Sequence, residues 1–123
     1  MKINILLVDD EEEFSSALAE RLTLRGFKVK TASTGEQALS LIERRSPEVV
    51  VLDIMMPDLN GLEVLKRIKS LRPKIQVILI TGAGSTKEGI DGMHIGAFDY
   101  LMKPVPIDEL IEKIHEAAEA RGK

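Results

Sequence analysis

Five short apolar runs, each followed by a segment with helical periodicity, dominate the 123-residue sequence. The clearest run, residues 49–52, is Val-Val-Val-Leu, which is typical of a strand buried on both faces of a parallel sheet. The other expected strands span about residues 3–8, 27–31, 75–80 and 97–102. Strict alternation of strand and helix predicts right-handed βαβ units, and therefore a five-stranded parallel sheet between two layers of helices.

Residues that cap or break helices set the boundaries of the expected helices: Gly26, Ser33 or Thr34, Pro73 and Pro106. The second helix is expected to run to about residue 45 and the last to residue 120. The fourth, over about residues 86–95, carries Gly89 and Gly92, each of which costs about 1 kcal/mol relative to Ala. We therefore expect the fourth helix to be the most mobile.

The composition narrows the class of protein. A length of 123 residues with 44% hydrophobic and 30% charged residues predicts one globular domain over residues 1–123. The net charge of −3, without a dominant basic cluster, argues against direct nucleic-acid binding. No apolar run approaches 18 residues and the first residues do not resemble a secretory signal, so we expect no membrane association. The absence of cysteine leaves no disulfide or thiolate metal site and fits a cytoplasmic location.

Polar side chains follow four of the expected strands, at the point where each strand ends: Asp9 and Asp10, Asp53, Thr81, and Lys103. Because ligands bind outside the carboxyl ends of parallel strands, we expect these side chains to share one site. Three carboxylates in a partly desolvated cleft repel one another, and a cation among them relieves that repulsion. Hard oxygen ligands with water are typical of Mg²⁺, with Mn²⁺ as an alternative.

A carboxylate at such a site can also act as a nucleophile and form an aspartyl-phosphate. Phosphoryl transfer requires that the charge on the phosphoryl oxygens be neutralised. The metal, the ammonium group of Lys103, the hydroxyl of Thr81 and nearby backbone N–H groups could share this task. Gly82 has no side chain, so phosphate oxygens could approach its backbone closely.

Taken together, these motifs make the whole chain resemble a receiver domain of a two-component response regulator. The resemblance is carried by Asp9-Asp10, by Asp53 followed by Met-Met-Pro-Asp-Leu-Asn-Gly, by Thr81, and by Tyr100 three residues before Lys103-Pro104. Each motif alone is weak, but their combination is specific. The resemblance implies a flavodoxin-like (βα)5 fold, a three-layer αβα sandwich with strand order 2-1-3-4-5.

The resemblance also implies roles for the acids. Asp53 is expected to accept a phosphoryl group from a sensor histidine kinase, a phosphotransfer protein or a small phosphodonor. Asp10, Asp53 and the main-chain carbonyl of Met55 are expected to hold Mg²⁺. Asp9 is expected to contribute mainly through metal-bound water.

On the same basis, Lys103 is expected to contact both a phosphoryl oxygen and Asp53. Thr81, beside Gly82, is expected to hydrogen-bond the phosphoryl group and move toward it, and Tyr100 to turn inward as it does. The peptide bond before Pro104 is expected to be cis. The chain is then a signalling domain rather than an enzyme, assisting only its own phosphorylation and slow dephosphorylation.

The output is expected at the surface formed by the fourth helix, the fifth strand and the last helix, read by a partner or effector domain. A homodimer formed on phosphorylation is a further expectation, because charged residues on this surface could pair across a two-fold axis. These residues are Lys87, Asp91, Glu109, Lys113 and Glu116.

Three positions depart from the usual pattern or bear on the signal's lifetime. Val105 stands where the family usually has Phe, which we interpret as a packing change. Met55 and Ala83, two residues beyond Asp53 and Thr81, are both apolar. Since these positions help to place the attacking water in this family, we predict slow self-hydrolysis of the phosphoryl group.

Other function classes remain open. A Mg²⁺-dependent phosphohydrolase with an Asp nucleophile typically carries Asp-x-Asp on a longer chain, whereas Asp9 and Asp10 are adjacent. A receiver-like binding module that works without phosphate would be favoured by loss of the acceptor, the acid pair or the lysine, and all are present. A flavin-binding protein of the same fold is the weakest alternative, because aromatic residues are few. The segment after Thr81 fails the Walker spacing, and we expect His94 and His115 to be surface residues.

Overall fold

Strands and helices alternate along the chain as predicted. The structure is a computed structural model and describes residues 2–56, 60–82 and 86–121. The strands are β1 (Asn4–Val8), β2 (Lys28–Ala32), β3 (Val49–Asp53), β4 (Gln76–Thr81) and β5 (Asp99–Met102). The helices are α1 (Glu12–Leu24), α2 (Gly35–Arg44), α3 (Gly61–Leu71), α4 (Thr86–Ile95) and α5 (Ile107–Arg121).

The strands form one parallel sheet in the order β2-β1-β3-β4-β5. This order confirms the predicted flavodoxin-like fold. All five residues of β3, the central strand, are buried. Val50 and Leu52 belong to the core beneath α2 and α3, while Val49 and Val51 belong to the core beneath α1 and α5. A strand with helices on both faces needs apolar side chains on both, and burial of each such side chain contributes about 1.5–3 kcal/mol.

Several element boundaries differ slightly from those predicted. Of the two candidate caps for α2, Thr34 is the cap, since its hydroxyl accepts a hydrogen bond from the N–H of Gln37 at 3.1 Å. That helix ends at Arg44 rather than 45, and α5 extends to Arg121 rather than 120. The fifth strand begins at residue 99 rather than 97, although the N–H of Phe98 already bonds the carbonyl of β4 residue Val77.

The glycines of α4 lie where the helix packs closely on the sheet. A Cβ on Gly92 would lie 2.1 Å from Cδ1 of Leu79 in β4, and a Cβ on Gly89 would lie 2.7 Å from the ring of Tyr100 in β5. Tertiary packing therefore accounts for two residues that weaken the helix locally. The higher mobility of α4 stays a prediction.

No helix in the described part of the chain is long and apolar enough to cross a membrane. Residues 57–59 of the predicted turn and residues 83–85 lie outside the described residues. The prediction that concerns Ala83 therefore stays a prediction.

Candidate functional site

The register of the parallel sheet brings the predicted site residues to one edge. Asp53 is the last residue of β3 and Thr81 the last of β4, while Asp9 and Lys103 directly follow β1 and β5. The N–H of Asp9 bonds the carbonyl of Ala32 at the end of β2, and the N–H of Lys103 bonds the carbonyl of Thr81. The residues singled out from four separate segments thus share the carboxyl ends of the strands.

Three carboxylates form the centre of this edge. Oxygens of Asp9, Asp10 and Asp53, one from each residue, all lie within 4.8 Å of one another. Asp9 and Asp53 are buried and Asp10 is exposed. Oδ1 of Asp9 accepts the N–H of Glu11 at 2.9 Å, and Oδ1 of Asp53 accepts the N–H of Met55 at 3.0 Å. The backbone of the turns thus holds one oxygen of each buried carboxylate, and the other oxygen of each faces Lys103.

The electrostatics of the cluster disfavour the ionised form of Asp53. Burial raises the pKa of Asp53 from 3.8 to about 6; the Met55 N–H opposes this rise, and the negative charge of Asp9 adds to it. The positive charge of Lys103 lowers the pKa of Asp53, and the negative charge of Asp10 raises it by a smaller amount. A divalent cation would offset the repulsion, and the all-oxygen donor set with one solvent-exposed member fits Mg²⁺.

Lys103 is surrounded by carboxylates. Its Nζ lies 3.2 Å from Oδ2 of Asp9 and 3.5 Å from Oδ2 of Asp53, and it hydrogen-bonds Oε1 of Glu11. It also lies 4.4 Å above the ring centroid of Phe14, a cation–π geometry. Burial lowers the pKa of Lys103, but the Glu11 hydrogen bond and the charges of Asp53 and Asp9 outweigh this and raise the pKa above its ordinary value. The ammonium group therefore stays charged at physiological pH.

Glu11 is the residue that the sequence did not identify. Glu11 is one of three consecutive acids at the start of α1. The favourable interaction of acids with the positive end of the helix dipole is enough to explain an acid at this position. In the structure Glu11 is the N-cap of α1, yet its side chain makes no capping hydrogen bond and contacts Lys103 instead. Glu is not among the favoured N-cap residues, so its place at the helix start was a weak signal of another role.

Thr81 is fully buried, and its Oγ1 has no hydrogen-bond partner within the described ranges 2–56, 60–82 and 86–121. An unpaired buried hydroxyl costs about 1–3 kcal/mol, so a ligand oxygen at this edge of the sheet would gain a ready donor. The neighbouring Gly82 is half-buried, and a Cβ there would meet no atom of the described residues within 4 Å. The described residues therefore leave space for a ligand beside Gly82.

Tyr100 and the Lys103–Pro104 peptide bond flank the site. The ring of Tyr100 is partly buried and packs on Gly89 of α4. The Lys103–Pro104 peptide bond is cis. Tyr100 therefore contacts α4, and its role as a switch residue stays a prediction.

The remaining candidates lie as follows. Met56 packs in the core, whereas Met55 is 62% exposed, so only one of the pair serves packing. His94 and His115 are both exposed, and the ring of His115 lies 5.3 Å from that of Phe27. Neither histidine lies among the site residues.

The comparisons with known proteins agree with this geometry. The family described as "Response regulator receiver domain" matches residues 5–115. The chain belongs to this family. Receiver domains are signalling domains rather than typical enzymes, and membership implies phosphorylation-based signalling.

This receiver domain is 38% identical over 114 residues to response regulator MprA of Mycobacterium sp. (strain KMS), covering 93% of this chain and 50% of MprA. It is 33% identical over 120 residues to the probable transcriptional regulatory protein TcrX of Mycobacterium tuberculosis, covering 98% of this chain and 51% of TcrX. The domain thus spans about half the length of the curated relatives it matches. Among solved structures it is similar to a response regulator receiver domain protein from Clostridium thermocellum, with a TM-score of 0.94 and 34% identity over 98% of this chain and 97% of that one.

Proposed function

We propose that residues 1–123 act as one receiver domain and that Asp53 is its phosphoacceptor. The observation that carries the proposal is the environment of Asp53. It is a buried carboxylate at the end of the central strand, with two acids, a lysine and an unpaired hydroxyl from neighbouring segments arranged around the same edge. Asp9 shares the acids and the lysine, but of the three acids only Asp53 ends the central strand.

The reaction is transfer of a phosphoryl group from a histidine kinase, a phosphotransfer protein or a small phosphodonor. A carboxylate oxygen of Asp53 attacks phosphorus, and the bond from phosphorus to the donor nitrogen or oxygen breaks. The donor leaves with that electron pair, and an aspartyl-phosphate remains. Lys103 and the hydroxyl of Thr81 stabilise the charge on the phosphoryl oxygens, and Gly82 leaves its backbone accessible to them.

Asp9, Asp10 and Asp53 would hold Mg²⁺, with the main-chain carbonyl of Met55 as a further ligand. When bound, the ion neutralises charge on the phosphoryl oxygens. The fit of these residues rests on the mutual proximity of their oxygens and on the burial of Oδ2 of Asp9, which has the Lys103 ammonium 3.2 Å away. Mn²⁺ shares the preference for oxygen ligands.

Phosphorylation would be transmitted through Thr81 and Tyr100. In the proposed switch, Thr81 bonds the phosphoryl group, the loop that follows closes, and Tyr100 moves inward. Because the ring of Tyr100 packs on Gly89, this movement would shift the balance between two arrangements of the α4-β5-α5 surface. A partner protein, an effector domain or a second copy of the chain would read that surface.

The charged residues proposed for a homodimer are partly engaged within the chain. Lys87 lies 3.1 Å from Asp91, and Lys113 lies 3.0 Å from Asp99 and 3.7 Å from Glu116. A dimer would have to exchange these pairs for intermolecular ones. Unchanged elution on size exclusion after addition of beryllofluoride would exclude dimerisation as the output.

A single assay tests the phosphoacceptor. Incubation with acetyl phosphate and Mg²⁺ should add the mass of one phosphoryl group, and this addition should be absent in Asp53→Asn. Asp91→Asn, which removes an acid on α4, serves as the control and should still be phosphorylated. Release of many phosphates per chain would instead identify a hydrolase. Absence of any adduct, even with beryllofluoride, would identify a binding module that works without phosphate.

A further inference from the structure

A cleft of about 310 Å³ lies at the opposite end of the sheet from Asp53. It lies between the last turn of α2 and the first residues of β1 and β2. Four basic side chains line it, with apolar residues between them. The lining includes Lys28, Lys30, Arg44, Arg45, Leu6 and Leu41.

The register of the sheet explains how the lysines reach this cleft. Lys30 pairs with Leu6 of β1, whose side chain lies in the core beneath α2, and Lys28 pairs with Asn4. Residues two apart share a face of a strand, so both lysines project on the α2 side of the edge strand. Arg44 ends α2 and Arg45 is its C-cap, so both extend from the helix end toward the same cleft.

The cleft is strongly positive although the protein carries a net charge of −3. The described residues that line it include no Asp or Glu. Within the described part of the chain, none of the four basic side chains takes part in an ion pair, whereas Arg25, Arg67, Lys87, Lys103 and Lys113 each do. Four like charges around one cleft repel one another.

General rules of secondary structure explain only part of this arrangement. Lysines on an edge strand discourage pairing with another sheet, and basic residues near a helix C-terminus complement its dipole. Neither rule requires that both sets of charges converge on one cleft with an apolar lining. Convergent charges with apolar surface between them are typical of a binding site.

We propose that this cleft binds a small organic anion that carries two or more negative charges on an apolar or planar body. Guanidinium groups bind phosphate and carboxylate in a bidentate manner, which suits Arg44 and Arg45, while Lys28 and Lys30 supply further charge. Leu6 and Leu41 supply the apolar contact. The volume lies at the lower end of the range for small-molecule sites, which favours such a ligand over the surface of a folded protein. The proposal is independent of phosphorylation at Asp53.

The test uses ADP as the probe, with pyrophosphate and adenosine as the charge-only and ring-only probes. Titration followed by calorimetry, in buffer and protein freed of divalent cations by passage over a chelating resin, keeps the Asp9-Asp10-Asp53 cluster metal-free and negative without adding a competing anion. ADP should bind saturably and at least tenfold more tightly than either fragment, and added salt should weaken its binding. Binding should be unchanged in Asp53→Asn, which separates this site from the phosphoacceptor.

Removal of Arg44 and Arg45 together, by R44A/R45A, should weaken ADP binding at least tenfold, as expected for the loss of charged hydrogen bonds. Lys28→Gln with Lys30→Gln provides a second variant on a different element. The matched control is Lys66→Ala with Lys74→Ala, which removes two exposed lysines outside the cleft and should not change binding. Equal weakening in the control, absence of saturable ADP binding, or binding of an acidic peptide in place of ADP would overturn the proposal.

Discussion

Gly89 of α4 lies directly against the ring of Tyr100 in β5. A Cβ at position 89 would lie 2.7 Å from Cδ2 and 2.9 Å from both Cε2 and Cγ of that ring, which is closer than real contacts allow. The position of this helix and the orientation of the ring are therefore linked. Gly89 lowers the helix propensity of α4, yet it is the residue that allows α4 to pack closely on β5.

Gly89→Ala should destabilise the protein by about 1–3 kcal/mol, because the added methyl group overpacks the contact with Tyr100. In a Tyr100→Ala background the same substitution should be neutral or stabilising by up to about 1 kcal/mol, since only helix propensity remains. Urea denaturation of the four variants measures the coupling between the two positions. Equal effects in both backgrounds would show that the ring does not require the glycine.

Glu11→Gln should accelerate phosphorylation by acetyl phosphate. Glu11 competes with Asp53 for Lys103, and Nζ lies 3.5 Å from the Asp53 carboxylate. Because the Glu11 side chain is 62% exposed, its ion pair is worth about 0.2–1 kcal/mol, which corresponds to roughly 1.5-fold to fivefold in rate. Mass spectrometry of a time course measures the rate. Glu13→Gln, on the helix that follows Glu11, is the control and should leave the phosphorylation rate unchanged. Slower phosphorylation of Glu11→Gln would show that Glu11 assists the lysine.

Asp53→Asn should be more stable than the wild type at pH 7 in metal-free buffer. The folded-state pKa of Asp53 is raised from 3.8 to about 6, so between these values the folded protein binds more protons at this site than the unfolded chain. The wild-type free energy of unfolding should therefore fall as the pH rises from about 4 to about 6, and the contribution of this site should then level off. A shift of this size in a largely buried group corresponds to about 1–3 kcal/mol.

Urea denaturation of both proteins at several pH values, with EDTA present, measures this difference. Addition of Mg²⁺ should reduce this difference in stability, because the ion offsets the charge of Asp53 and so stabilises the wild type more than the Asn variant. A constant difference between pH 4 and 7, or an Asn variant that is the less stable at pH 7, would show that ionised Asp53 is not disfavoured in the folded protein.

The phosphorylated form should hydrolyse slowly, with a half-life well above seconds in the absence of a phosphatase. Met55→Asn should shorten that half-life about fivefold, because one additional hydrogen bond to the attacking water is worth about 1 kcal/mol. The side chain of Met55 is mostly exposed, so the substitution leaves the core intact. Decay of the phosphorylated species after removal of acetyl phosphate gives the rate. Met93→Gln changes another exposed methionine and should have no effect; a wild-type half-life of seconds would contradict the prediction.

The sequence by itself determined the fold and most residues of the strand-end site. Local periodicity separates strands such as residues 49–53 from amphipathic helices, and a parallel sheet necessarily collects its strand ends at one edge. Asp9, Asp10, Asp53, Thr81 and Lys103 could therefore be assigned to one site without coordinates. The roles proposed for them in phosphorylation came from the resemblance to receiver domains.

Only the tertiary structure decided which side chains meet across distant segments. The Glu11–Lys103 contact joins residues 92 positions apart, and it depends on how closely the start of α1 approaches the segment after β5. Two other features also depend on tertiary structure. One is the packing of Gly89 on Tyr100, and the other is the convergence of four basic residues on one cleft. Side-chain directions and the distances between helices and sheet set these contacts, and neither is encoded in the period of a single element.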